Sequence, residues 1–122
     1  DMTFTIGSNE QGGNLITYSS QGNPSNYLGT DEFGGFLTTY NTKKQATIFL
    51  GSLRNGGNLM TFNTNGNEAI NLGADENGGG YLKTSNSHGN AIGYLGVNAD
   101  KDGIIYLNDR YGDFGWGMTG KK

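Results

Sequence analysis

The sequence predicts an all-β chain built from a 22-residue unit, and three observations carry that prediction. Leu28-Gly29, Leu50-Gly51 and Leu72-Gly73 are spaced by 22 residues, and Leu95-Gly96 follows after 23. Glycine pairs keep the same beat at Gly12-Gly13, Gly34-Gly35, Gly56-Gly57 and Gly78-Gly79. Between these marks apolar and polar residues alternate, which is the period of a strand and not of a helix. A fixed period of this size makes the chain a series of one small motif, so function lies in the surface the series presents.

The units fall in one domain spanning 1–122. They cover 6–27, 28–49, 50–71, 72–94 and 95–116, with 1–5 as the second half of a truncated preceding unit. Each opens on Leu-Gly or Ile-Gly, passes four polar residues and reaches Gly-Gly. A first strand then centres on Leu15, Leu37, Leu59 and Leu82, with Thr17, Thr39, Thr61 and Thr84 on the same face. This column is the expected core. The opposite face carries Ile16, Thr38, Met60 and Lys83, then Tyr18, Tyr40, Phe62 and Ser85. A second strand runs into the next Leu-Gly, as at Ala46–Leu50.

The turns have their own chemistry. Asn65-Gly66 reads as a two-residue hairpin loop, because a type I′ turn needs positive φ at both central positions. Gly-Gly after Asp31-Glu32 or Asp75-Glu76-Asn77 reads as a longer turn in which glycine accepts left-handed geometry. Strands of about five residues joined by such loops predict stacked hairpins, a β-meander or β-prism, or a solenoid. The Leu-Gly-x4 opening is similar to the hexapeptide of left-handed β-helices, but it occurs once per 22 residues instead of every six.

Composition narrows the class. Glycine supplies 23 of 122 residues, and at a fixed period it signals turns, not disorder. Ordering one unit costs on the order of 30 kcal/mol at ~1.5 kcal/mol per residue. About six sizeable apolar side chains per unit return roughly 1.5–3 kcal/mol each. So thin a margin favours a homo-oligomer, with an intertwined trimer or a filament as the expected forms. Open sheet edges, with a single proline to block them, favour filament growth by strand addition. There is no cysteine and hence neither a disulfide framework nor a cysteine metal site. The net charge of −3 argues against a nucleic-acid surface. No apolar run is long enough for a membrane helix. No basic stretch leads into an apolar one, so no signal peptide is expected in these residues.

The repeats LGTDEFGGFLTTYN, LGSLRNGGNLMTFNTNG and LGADENGGGYLKTSNSHG resemble those of bacteriophage tail fibres and related bacterial surface fibres. The resemblance spans roughly Ile6 to Tyr106. It implies a non-enzymatic, elongated, extracellular or virion-associated structural part that self-associates and presents a receptor-binding surface. It brings no catalytic residue and no cofactor.

Candidate sites are few. Asn98, Asp100, Asp102 and Asp109 match ligand positions of a calcium loop, with Gly103 at the turn, but the flanks are strand-like and position 12 is not glutamate. A solvated acidic turn is the simpler reading. His88 is the one histidine and cannot anchor a transition metal by itself. The paired acids sit in repeated turn positions, where burial cannot raise a pKa. Tyr18, Tyr40 and Phe62 are 22 residues apart and are expected to align as a packed ladder. A lectin-like module with repeated shallow glycan sites along that strip is the alternative function. Tyr111, Phe114 and Trp116 lie where the repeat fades, and are expected to cap the series or to serve assembly.

Overall fold

The computed structural model describes residues 3–122. Asp1 and Met2, part of the expected half-unit, lie outside the described residues. Eleven strands follow one another: β1 (Phe4–Asn9), β2 (Gly12–Tyr18), β3 (Pro24–Asp31), β4 (Gly34–Tyr40), β5 (Ala46–Leu53), β6 (Gly56–Phe62), β7 (Glu68–Ala74), β8 (Gly80–Ser85), β9 (Ala91–Val97), β10 (Gly103–Asn108) and β11 (Phe114–Thr119). They form one antiparallel sheet in chain order. Each strand touches only the strands before and after it. At ~4.8 Å per strand the sheet is about 48 Å wide and one layer thick.

The register explains the Leu-Gly beat. Directly opposed residues share a face. Ile6 pairs with Leu15, Leu15 with Leu28, and the row continues through Leu37, Leu50, Leu59, Leu72, Leu82, Leu95 and Ile105 to Met118. Every strand gives one apolar side chain to this row. The expected leucine column is therefore only alternate members of a ladder twice as dense. The glycines of Leu-Gly point to the other face, where each meets a large neighbour. A Cβ on Gly51 would stand 2.5 Å from the Cβ of Phe36, and one on Gly29 would enter the Tyr27 ring.

The expected leucine core does not close. Among the described residues no hydrophobic side chain is buried, and Leu28, Leu50, Leu72 and Leu95 are each about half exposed. A single layer has no second layer to cover its face, so the ladder is the apolar surface that a core would otherwise hide.

Turn chemistry also differs from expectation. Two-residue loops occur at the Gly-Gly end, where Asn9 pairs with Gly12, Asp31 with Gly34 and Leu53 with Gly56. The Asn-Gly loops are longer. Asn63 donates its N–H to the Asn67 carbonyl, and Gly66 donates to the Asn63 carbonyl. Only Gly66, at φ 81°, is left-handed, so Asn65 needs no positive φ. This is a type I turn followed by a left-handed residue. Asn63 Oδ1 closes it by accepting the N–H groups of Asn65 and Asn67. The fourth unit gains its extra residue by adopting the same longer loop at Asp75–Gly79.

Candidate interaction surfaces

The two faces of the sheet differ in kind. Beside the leucine ladder runs a second row of the same face: Phe4, Thr17, Asn26, Thr39, Ile48, Thr61, Ile70, Thr84, Gly93, Leu107 and Trp116. On its other side lies a trough of small residues, including the pairs Ser8 with Gly13, Thr30 with Gly35, Ser52 with Gly57 and Ala74 with Gly80. No Asp, Glu, Lys or Arg occurs in these three rows. Of the 16 large hydrophobic residues that stand exposed among the described residues, 12 fall here: Phe4, Ile6, Leu28, Ile48, Leu50, Ile70, Leu72, Leu95, Ile105, Leu107, Trp116 and Met118.

The opposite face is self-covered. Tyr27 stacks on Phe36 at 5.4 Å between ring centroids, and Phe36 on Phe49 at 5.9 Å. A second stack runs from Tyr81 to Tyr94 at 6.1 Å and on to Tyr106 at 4.9 Å. Glycines at 29, 51, 73 and 96 leave the space over which these rings and their neighbours lie. Burial pushes the Tyr94 phenol above its ordinary value of 10.0, and the charges of Tyr106, Asp75 and Tyr81 push the same way.

Between the stacks the third unit places a polar node. Asn58 and Asn71 occupy the positions of Phe36 and Phe49 one unit earlier. Asn58 Nδ2 donates to Asn71 Oδ1 at 2.8 Å, and the Tyr81 hydroxyl donates to the same oxygen at 2.9 Å. Asn71 Nδ2 donates to Glu68 Oε2 at 3.1 Å, while Lys83 Nζ meets Glu68 Oε1 at 2.8 Å. Asn58 is buried, and its Oδ1 has no partner. A hollow of about 300 Å³ opens beside it, lined in part by Phe33, Leu53, Arg54 and Tyr81. Composition alone does not reveal this node. The signal was a break in the repeat: Asn71 stands where other units carry Tyr27, Phe49 and Tyr94, and Asn58 where two of them carry Phe36 and Tyr81.

The expected aromatic ladder is arranged differently. Tyr18, Tyr40 and Phe62 end β2, β4 and β6, so an intervening strand separates each from the next. Two strand spacings, ~9.6 Å, are too far for rings to stack. None of the three belongs to a stacked pair among the described residues. Tyr111 lies in the last turn, while Phe114 and Trp116 belong to edge strand β11. The beat persists there, because Met118 pairs with Ile105 and extends the ladder to the edge.

The calcium-loop residues do not converge. Asn98, Asp100 and Asp102 belong to the turn before β10, and Asp109 to the turn after it, at the strand's other end. Asn98 Oδ1 accepts the Asp102 N–H, and Asp109 Oδ1 accepts those of Tyr111 and Asp113. These oxygens close their own turns. No group of three or more metal-binding side chains forms among the described residues. His88 is exposed in its turn, with its N–H donated to Asn86 Oδ1. Asp75 caps its turn likewise, accepting from Asn77 and Gly79.

Asparagine has a further use at the turns. Asn63 and Asn67 side-chain amides both donate to the Ser87 carbonyl of the next loop along. Asn86 and Asn90 donate to the Arg110 carbonyl at 2.8 and 3.0 Å. Gln45 reaches the Thr64 carbonyl in the same way. One edge of the sheet is thus stitched, loop to loop.

No protein-family model matches the chain. No curated protein matches it either.

Proposed function

We propose that the chain is a non-enzymatic structural segment of a fibre on a virion or cell exterior, that it self-associates, and that it presents a receptor-binding surface. The observation that carries this reading is the open, one-layer sheet in which no apolar side chain is buried among the described residues. Apolar surface left uncovered by the chain itself is the usual mark of an association surface. Series of identical strands extend in one direction, which suits a shaft. A trimeric β-prism and a filament grown at the β1 and β11 edges are the arrangements this reading favours. Asp31, Asp75 and Asp109 each spend a carboxylate oxygen on closing their own turn.

Sedimentation velocity with multi-angle light scattering tests the reading. A multiple of the 13.0 kDa chain mass, with an elongated shape, is the expected result. A compact species of single-chain mass at all concentrations overturns it.

A carbohydrate-binding module remains the second reading, favoured by one observation. Tyr18, Tyr40 and Phe62 keep unstacked rings, the last two beside turns closed by Asn41 and Asn63, whereas the stacked rings spend their faces on one another. A glycan array probed with the assembled protein should show binding that Tyr40→Ala weakens. Absence of any hit refutes this second reading.

A further inference from the structure

We infer that the leucine face of each chain packs against the leucine face of another copy of the same chain. The inference rests on the self-association proposed above and names the surface that performs it. Edges and face are different modes of assembly. Edge growth adds strands through backbone hydrogen bonds and leaves the ladder wet. Face packing covers the ladder and leaves the edges free.

Three features point to the face and to a like partner. The first is area. A half-exposed large apolar side chain leaves roughly 80–100 Å² open, so the 12 such residues of this face expose on the order of 1,000 Å². The largest apolar patch of a typical monomer is ~300–600 Å². Two such faces together cover ~2,000 Å², where obligate homo-oligomer interfaces begin.

The second is charge. The face carries no ionised side chain in its three rows, although the chain holds 8 basic and 11 acidic residues. A charged partner finds nothing to pair with here. An identical uncharged face brings no charge that would be buried unpaired.

The third is relief. The ladder is a ridge of Leu and Ile, and the Gly, Ser, Thr and Ala row beside it is a trough parallel to the ridge. Turning one copy against another sets the ridge of each into the trough of its neighbour. Interdigitating side chains of this kind fill the ~10 Å between packed sheets. Every strand contributes to both ridge and trough, so the fit extends across the sheet.

The experiment introduces charge into the ridge and compares it with charge on the other face. Leu50→Lys with Leu72→Lys should reduce the assembly to single chains at concentrations where the unaltered protein and Met60→Lys stay associated. Far-UV circular dichroism checks that the variants keep their strands. Because the lysine pair could unfold the sheet, a second measurement uses mild single substitutions in this cysteine-free chain. Thr61→Cys, on the leucine face, should cross-link between copies with a short bifunctional maleimide, and Met60→Cys, half-buried on the opposite face, should not. Assemblies that survive the lysine pair, or that cross-link through Met60→Cys alone, overturn the inference and leave self-association by the edges. An unaltered protein that is single-chain throughout overturns self-association itself. If that species also binds an apolar-surface dye, the face belongs to a different partner.

Discussion

Replacing Gly51 by alanine should weaken the sheet by about 2 kcal/mol. The added methyl would stand 2.5 Å from Phe36 Cβ, 2.7 Å from Phe36 Cα and 2.8 Å from the Gly35 carbonyl oxygen. Two of these atoms are backbone, so no rotamer change relieves the contact and β4 and β5 must part. Forced overpacking costs ~1–3 kcal/mol, and backbone contacts place this site at the upper end. The unfolded chain loses freedom with alanine, which returns ~0.4–1 kcal/mol. With an unfolding entropy of ~2.1 cal/mol/K per residue, the net loss lowers Tm by roughly 8 °C. Gly7→Ala, on the same face as Gly51, is the control, since the nearest atom to its Cβ position is Asn14 Oδ1 at 3.5 Å, an ordinary contact, and its effect should be neutral or stabilising. Urea and thermal unfolding at one fixed protein concentration read both, because association shifts apparent stability. Equal losses at the two glycines would refute the argument that close approach of Phe36 demands glycine at 51.

Three further outcomes follow from the structure. Lys44 sits at φ 64° where equivalent loops carry Gly22 and Gly66, so Lys44→Gly should stabilise by about 0.5–1 kcal/mol, read as a higher urea midpoint. The Tyr94 phenol is raised above 10.0 in the folded chain, so its contribution is intact below that pH and is lost as pH rises through the raised value. Urea midpoints should therefore fall in the alkaline range above pH ~10, and Tyr94→Phe should flatten that fall. Asn86→Ala removes the acceptor for His88 and Asn90 and the donor to the Arg110 carbonyl, and should cost about 1–2 kcal/mol. Hydrogen exchange should then speed up at both loops together.

The strands and their alternation were legible from the Leu-Gly beat and the period-2 pattern, with a meander among the arrangements they allowed; that all eleven strands lie in one open sheet was not. The density of the ladder was not. Leu15 and Leu28 belong to different halves of the unit, and only pairing across the 19–23 turn puts them opposite one another. Loop lengths at the two ends were exchanged for a related reason. Asn-Gly favours a tight turn by itself, but Asn63 Oδ1 closes a wider one by capping two N–H groups. The aromatic stacks were hidden because diagonal partners such as Tyr27 and Phe36 come from both halves of adjacent units. At the sites, Asn98 and Asp109 matched a ligand spacing along the chain that a strand pulls straight, about 20 Å from end to end.

Strict neighbour-to-neighbour contact makes length a free variable for this architecture. Adding or deleting 22 residues inserts or removes two strands without disturbing any pairing beyond the join, and widens or narrows the sheet by ~9.6 Å. Duplication of a short stretch of gene can therefore tune reach in discrete steps while every interior strand meets the same surroundings. The same economy leaves the outermost strands as the natural places for the sheet to fray, since each is held from one side only.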